Sequence, residues 1–163
     1  MKNKYLILFI FNIVVATQLL YKITPEQNQK IRQAQSLYRN GLINESKEIY
    51  NQLFTNYPYL REAYNPLKKI LKNTNELEYL EKISKIYIKN NKNSIQSKID
   101  VLDAFIWIDN DHWKKLTDEI INSRLTKDRQ IKLTLSILLN NKKYDYAENL
   151  ISNIRSIKNP DFY

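Results

Sequence analysis

The sequence predicts an all-α fold, and two observations support that prediction. The 163-residue chain contains one glycine and four prolines, fewer turn-forming residues than a β-sandwich or an α/β fold of this length requires. From Pro25 onward, apolar residues recur at helical spacing in segments of helix length, separated by short breaks. With 43% hydrophobic and 26% charged residues, the composition is that of a folded protein.

The N-terminal segment, residues 1–23, is predicted to direct export. Two lysines precede an apolar run over residues 5–16, and Val14 and Ala16 supply small side chains at its end. A basic start, a short apolar core and a small-residue exit are the three parts of a secretory signal peptide. The alternative is an uncleaved membrane anchor over residues 5–23. Both interpretations place the remaining chain outside the cytoplasm, in the periplasm or cell envelope, because the basic residues stay inside.

The segments that follow begin with a predicted helical hairpin. Thr24 and Pro25 open its first helix as N-cap and first helical residue. Gly41 breaks that helix, and a second amphipathic segment follows it. Pro58 ends the second segment, because proline disfavours helical structure at the residue before it.

The same pattern recurs along the chain. Breaks comparable to that at Gly41 follow at Asn75, Asp111 and Lys142, at intervals of roughly 34 residues, the third slightly late and the fourth slightly early. Such a period is typical of helical repeats, in which a hairpin buries its apolar face only by stacking on a neighbour. A simple helical bundle is the nearest alternative, and it needs no such recurrence. The prediction is one domain over residues 24–163, with hairpins over residues 27–58, 61–92, 95–126 and 127–160.

The residues of these units resemble the tetratricopeptide repeat. That repeat carries a small residue in each helix and a terminal proline, and the first unit matches it with Ala34, Ser46 and Pro58. The fourth unit is similar through Tyr144, Ala147, Ile151 and Ile154. The second unit departs from the pattern, since Lys68 and Leu80 replace small residues. The resemblance implies a right-handed superhelical stack of about four antiparallel hairpins that serves as a protein–protein interaction scaffold, without catalysis or cofactor.

The resemblance also implies a binding groove. In tetratricopeptide arrays the first helix of each repeat lines a concave surface that holds proteins or peptides. Mapped onto this chain, the partner-binding residues are Tyr38, Arg39, Asn65, Lys69, Lys72, Asn73, Phe105 and Lys132, with Gln35, Ile108, Asp109, Ser136 and Asn140 at further groove positions. Lysines attract carboxylates and amides pair with a peptide backbone, so the basic strip over residues 65–73 predicts a partner with an acidic segment. Pro66 is expected to kink this helix or to reset its start.

Residues suited to catalysis or metal binding are scarce. The chain has no cysteine and a single histidine, His112, so the usual zinc site and a cysteine–histidine pair are both excluded. Asp109 and the two residues after it resemble the start of a calcium loop, but the glycine and glutamate that such a loop needs would fall at Lys114 and Ile120. Acidic residues that cap a helix are the better interpretation. No catalytic residue, metal or cofactor is predicted.

Three further features complete the sequence-based predictions. The net charge of +9 is scattered along the chain, which together with export argues against nucleic acid as a partner. Trp107 and Trp113 are predicted to pack in the core. Residues 159–163 resemble entry into another repeat, where a polar capping helix would be usual. The alternative function is therefore the N-terminal part of a longer multi-repeat or multidomain envelope protein whose function lies downstream.

Overall fold

A computed structural model describes residues 23–109 and 111–158, with side chains as far as residue 153. Throughout these residues the regular structure consists of eight α-helices and no strand, so the all-α prediction is confirmed. The helices are α1 (Pro25–Arg39), α2 (Ile43–Asn56), α3 (Arg61–Asn73), α4 (Leu77–Asn90), α5 (Ile95–Trp107), α6 (His112–Ile121), α7 (Asp128–Asn140) and α8 (Tyr144–Lys158).

The first helix begins where the sequence predicts. Thr24 is extended and caps α1: its Oγ1 accepts from the Gln27 backbone N–H at 3.2 Å, and the Gln27 Oε1 accepts from the Thr24 N–H at 2.9 Å. This reciprocal capping box satisfies two backbone donors that a helix start leaves without partners. Pro25 follows at the first helical position, where its missing N–H costs nothing.

Four turns share one backbone conformation. Gly41, Asn75, Asp109 and Lys142 have φ values of 79°, 58°, 53° and 59°, and each lies just after the first helix of a pair. These four positions recur regularly, at intervals of roughly 34 residues.

The backbone closes similarly around three of these turns. The bonds run from the Leu42 N–H to Leu37 O at 3.0 Å, from the Glu76 N–H to Leu71 O at 3.0 Å, and from the Lys143 N–H to Leu138 O at 2.9 Å. Each of them satisfies a carbonyl that a helix end leaves open. The recurrence therefore extends from the spacing of the turns to their hydrogen bonds.

The backbone conformation places the third turn two residues earlier than the sequence predicts. The sequence pattern places it at Asp111, whereas the left-handed residue is Asp109. Three consecutive polar residues suit a turn equally well, and only the backbone torsion decides among them. Asp111 instead precedes α6 and its side chain forms no capping hydrogen bond, so the capping interpretation is wrong for this residue.

Lys142→Gly is expected to raise the free energy of unfolding by about 0.5–1 kcal/mol, because a residue with a Cβ strains the left-handed conformation and glycine does not. The matched reverse change is Gly41→Ala. An added Cβ at Gly41 meets no atom within 4 Å, so its cost is conformational alone, about 1 kcal/mol. Urea denaturation of both variants measures the two effects. Destabilisation by Lys142→Gly would contradict the assignment of this turn.

The described chain divides into two compact units, with the boundary inside α2 after Ile49. In the first unit, α1 and the start of α2 are joined by a buried hydrogen bond in which Ser46 Oγ donates to Ala34 O at 2.8 Å. Both side chains are fully buried. Small residues at these two positions let the helix backbones approach closely, as the tetratricopeptide resemblance implies.

The second unit begins at Tyr50 and contains the other three hairpins. Within each hairpin the two helices pack on each other, as α3 on α4, α5 on α6 and α7 on α8. The first helices also pack in series, α3 on α5 and α5 on α7, while α4 packs on α5 and α6 on α7. These contacts are those of a helical stack. Its core is a continuous set of buried apolar side chains, which includes Tyr64, Leu71, Tyr87, Leu102, Ile120 and Leu138.

Two further expectations concern single segments. α3 runs from Arg61 through Pro66 without interruption, so the proline does not reset the start of that helix. Among the described helices, none is both long and apolar enough to cross a lipid bilayer. The predicted signal peptide or anchor falls almost entirely on residues 1–22, which lie outside the described part of the chain.

Candidate functional site

The face along α3, α5 and α7 contains most of the residues that the resemblance assigns to partner binding. Moving the third turn from Asp111 to Asp109 shifts the equivalent positions of α5 by two residues. The positions equivalent to Phe105, Ile108 and Asp109 then become Asp103, Ile106 and Trp107. Of these, Asp103 and Trp107 reach the surface, whereas Ile106 is 6% exposed and packs in the core. Phe105 is only 4% exposed and its ring centroid lies 6.3 Å from that of His112, so it packs toward α6 and is not part of this face.

Asp103 of α5 is hydrogen-bonded to residues of both neighbouring first helices, α3 and α7. Lys72 of α3 donates to both of its carboxylate oxygens, at 2.9 and 2.8 Å, and the Lys68 Nζ is 4.0 Å away. Asn141, at the end of α7, donates to the same carboxylate at 3.3 Å. One acidic side chain of α5 therefore bridges its neighbours on both sides.

The charges around Asp103 stabilise its ionised form. Partial burial of the carboxyl by itself raises its pKa, but the hydrogen bond from Lys72 and the nearby charge of Lys68 outweigh that effect and lower it. The surroundings of Lys68, by contrast, destabilise its ionised form. Burial lowers the pKa of its ammonium group, and the carboxylates of Asp103 and Asp100 only partly compensate.

Trp107 lies beside this bridge and is half exposed, with 50% of its surface accessible. The Lys72 Nζ is 4.5 Å from the centroid of its ring, within the range of a cation–π interaction. The prediction that Trp107 packs in the core is wrong, because the two-residue shift in α5 turns this side chain outward. The same prediction for Trp113 is confirmed, since Trp113 is 4% exposed and packs edge-on against Tyr146.

A second polar cluster holds α3 against α5, one turn earlier along α5. Arg61 donates two hydrogen bonds to the Asp100 carboxylate, at 2.6 and 2.9 Å, and Tyr87 and Gln96 donate to it at 3.2 and 3.0 Å. Asp100 is only 6% exposed. Lys68 donates to the backbone carbonyl of Asp100 at 2.6 Å. A buried carboxylate with this many donors is fully satisfied.

The second cluster was not predicted from the sequence, although two signals were present. Asp100 is an acidic residue within an otherwise apolar stretch of α5, and a charge in such a stretch requires a partner. Lys68 replaces the small residue that the tetratricopeptide pattern expects. The structure explains both departures. The Asp100 carboxylate accepts hydrogen bonds from Arg61 of α3, and the Lys68 ammonium group donates a hydrogen bond to the backbone carbonyl of Asp100 on α5.

Stacked tyrosines form the layer beneath the second cluster. The rings of Tyr64 and Tyr87 are parallel to within 3°, with centroids 4.1 Å apart. The Tyr64 hydroxyl is hydrogen-bonded to Ser84 Oγ at 2.8 Å. Burial raises the pKa of both phenols, so both stay neutral hydrogen-bonding groups at physiological pH.

The remaining predicted residues are distributed over both units. On α3, Lys69 and Asn73 are exposed and Asn65 is half-buried, on the helical face that also carries Lys72. On α7, Lys132, Ser136 and Asn140 are exposed, whereas Tyr38 and Arg39 belong to α1 in the first unit. Among the predicted residues, Lys72 is the one that the structure places in a cluster. It contacts Asp103 and Trp107, and Asp103 in turn accepts a hydrogen bond from Asn141 at the end of α7.

Groups that could support metal chemistry are not assembled in the described residues. No set of three histidine, cysteine, aspartate or glutamate side chains lies close enough to hold a metal ion there. His112 is the exposed first residue of α6.

Comparison with known proteins adds no assignment. No protein-family model matches the sequence, and no curated protein or solved structure is significantly similar to it. The similarity to tetratricopeptide repeats therefore depends on the residues and on the spacing of the hairpin turns.

Proposed function

We propose that this chain is an exported helical-repeat scaffold of the tetratricopeptide type, which binds a peptide segment of a partner protein along α3, α5 and α7. The regular spacing of the left-handed turns, roughly 34 residues throughout, supports a repeat architecture. The serial packing of three first helices supports a continuous face. We call this surface the recognition face, and it comprises Asn65, Lys69, Lys72, Asn73, Asp103, Trp107, Lys132, Ser136 and Asn140.

The half-exposed Trp107 is the observation that carries this proposal. An indole that is 50% exposed is costly to leave in water, and tryptophan is enriched among the residues that dominate binding energy at protein interfaces. Lys72 lies against the ring and is itself fixed by two hydrogen bonds to Asp103. The ring is therefore held in place before a partner arrives, which lowers the entropic cost of binding.

The charged and amide side chains of the recognition face indicate what kind of peptide it binds. Lys72 is already paired with Asp103, so the attraction for an acidic segment falls to the exposed lysines of the face, Lys69 of α3 and Lys132 of α7. We propose an extended peptide that places an apolar or aromatic side chain on Trp107 and a carboxylate near Lys132. The exposed amides of Asn73 and Asn140 supply donors and acceptors for its backbone.

A random peptide library selected on the full chain tests this function. Peptides that bind the wild type are expected to lose about tenfold or more in affinity on Trp107→Ala, because truncating a central aromatic anchor costs about 2 kcal/mol. Lys132→Glu is expected to weaken acidic peptides selectively. The measurement is fluorescence anisotropy of the selected peptides.

The matched control is Leu125→Ala. Leu125 is an apolar side chain that is 74% exposed and lies in the loop between α6 and α7, outside the recognition face. Its truncation is expected to leave peptide affinity unchanged. Recovery of no binding peptide, or equal affinity for wild type and Trp107→Ala, would rule the proposal out.

A further inference from the structure

A cavity of about 340 Å³ opens between α4 and α6, with α5 at its base. Ile88 of α4, Phe105 of α5 and Leu116 of α6 form its apolar wall. Phe105 and Leu116 are 4% and 6% exposed, so core packing fixes these two side chains, whereas Ile88 is half-buried at the open side of the cavity. The volume lies at the lower end of the range for sites that bind small molecules.

Charged side chains line the rim of the cavity, and not all of them form an ion pair with a side chain of opposite charge. Glu119 is the acidic residue at the rim, and the Lys98 Nζ lies 2.7 Å from its carboxylate. Lys85 is paired in the same way with Glu81, at 2.7 Å. Lys115 also lines the cavity, and no carboxylate within the described part of the chain forms an ion pair with it. Among the described residues of the rim, Lys115 is therefore the lysine that forms no ion pair, since Glu119, one helical turn away, is paired with Lys98.

We propose that this cavity binds a small amphiphilic anion, of the class of medium-chain carboxylic acids. The alkyl chain lies against Ile88, Phe105 and Leu116, where its burial is favourable. The carboxylate lies at the rim, where Lys115 donates a charge-assisted hydrogen bond. Glu119 does not repel the anion strongly, because Lys98 neutralises it.

The site is separate from the recognition face. Its wall comes mainly from the second helices of two hairpins, α4 and α6, whereas the recognition face comes from the first helices. Binding of an anion here depends on neither Trp107 nor a peptide partner. The two proposals therefore succeed or fail independently.

Isothermal titration calorimetry of the full chain with decanoate tests the site. We expect saturable binding with one decanoate per chain. Decyltrimethylammonium has an alkyl chain one carbon longer and the opposite charge, and it is expected to bind roughly tenfold more weakly because Lys115 repels its head group. Equal affinity for both amphiphiles would overturn the assignment of an anion.

Two variants locate the binding on the protein. Lys115→Glu reverses the charge at the rim and is expected to weaken decanoate roughly tenfold, whereas Lys92→Glu, an exposed lysine outside the cavity, is the matched control and is expected to have no effect. Ile88→Phe adds volume inside the cavity and is expected to abolish saturable binding. Circular dichroism checks that each variant keeps its helical content.

The outcomes separate the alternatives. Absence of saturable decanoate binding to the wild type overturns the proposal. Binding that survives both Lys115→Glu and Ile88→Phe places decanoate elsewhere on the chain and also overturns it. Trp107→Ala is expected to leave decanoate affinity unchanged, so failure of the peptide experiment carries no consequence for this site.

Discussion

Tyr64→Ala is expected to lower the free energy of unfolding by about 4 kcal/mol, the loss usual for a large aromatic residue truncated in a packed core. Tyr64 is fully buried, stacks on Tyr87 at 4.1 Å and is hydrogen-bonded to Ser84. The alanine leaves a cavity beside Tyr87 and removes the ring on which that tyrosine rests. Urea denaturation followed by circular dichroism measures the loss.

Two smaller changes separate the ring from its hydroxyl group. Tyr64→Phe keeps the stack, and Ser84 retains its hydrogen bond to Leu80 O at 2.7 Å, so the expected loss is only about 1 kcal/mol. Ser84→Ala leaves the buried Tyr64 hydroxyl without that partner, and the expected loss is about 2 kcal/mol. A loss below about 1 kcal/mol for Tyr64→Ala would contradict the packing described for this layer.

Arg61→Met is expected to destabilise the protein by about 2 kcal/mol. Removing the guanidinium leaves the 6% exposed carboxylate of Asp100 without its cation, and an uncompensated buried charge is costly. The expected loss is smaller than for a completely buried pair, because the Arg61 side chain is half exposed and partly screened by water. Thermal and urea denaturation at neutral pH measure the effect.

A double substitution shows whether the loss comes from the stranded charge. Asp100→Asn keeps the shape of the side chain and removes its charge. In the Arg61→Met background it is expected to recover about 1 kcal/mol, so the two substitutions are not additive. Simple additivity of the two losses would show that Arg61 contributes packing alone.

The helical fold could be predicted from the sequence because its local signals agree with one another. Thr24 and Pro25 mark the start of α1, and Gly41 marks its end, each through a backbone preference that needs no knowledge of the tertiary structure. The sequence misplaces the third turn because Asp109 and Asp111 have nearly equal turn preferences. Because of this two-residue shift, the sequence assigns Phe105 to the groove and Trp107 to the core, whereas in the structure Phe105 is buried and Trp107 is exposed.

The polar clusters could not be predicted in the same way. Arg61 and Asp100 are far apart in sequence, and their pairing depends on how closely α3 packs on α5. The helical position of Lys72 predicts that it lies on the binding surface, but nothing in the local sequence indicates that its ammonium group pairs with Asp103. Hydrophobic spacing identifies which side of a helix is buried, but the choice of charge partners follows only from the packing of two helices.

The charges between α3 and α5 also restrict the order in which the hairpins can be joined. The bases Arg61, Lys68 and Lys72 lie on one helix, and the acids Asp100 and Asp103 lie on the next, so this junction has a donor side and an acceptor side. The first helix of the last hairpin carries two bases of its own and offers α3 no comparable acids beyond Asp128. Although the backbone repeats almost regularly, the hairpins are not interchangeable modules, and a shuffled array would bring lysines and arginines together at the joint.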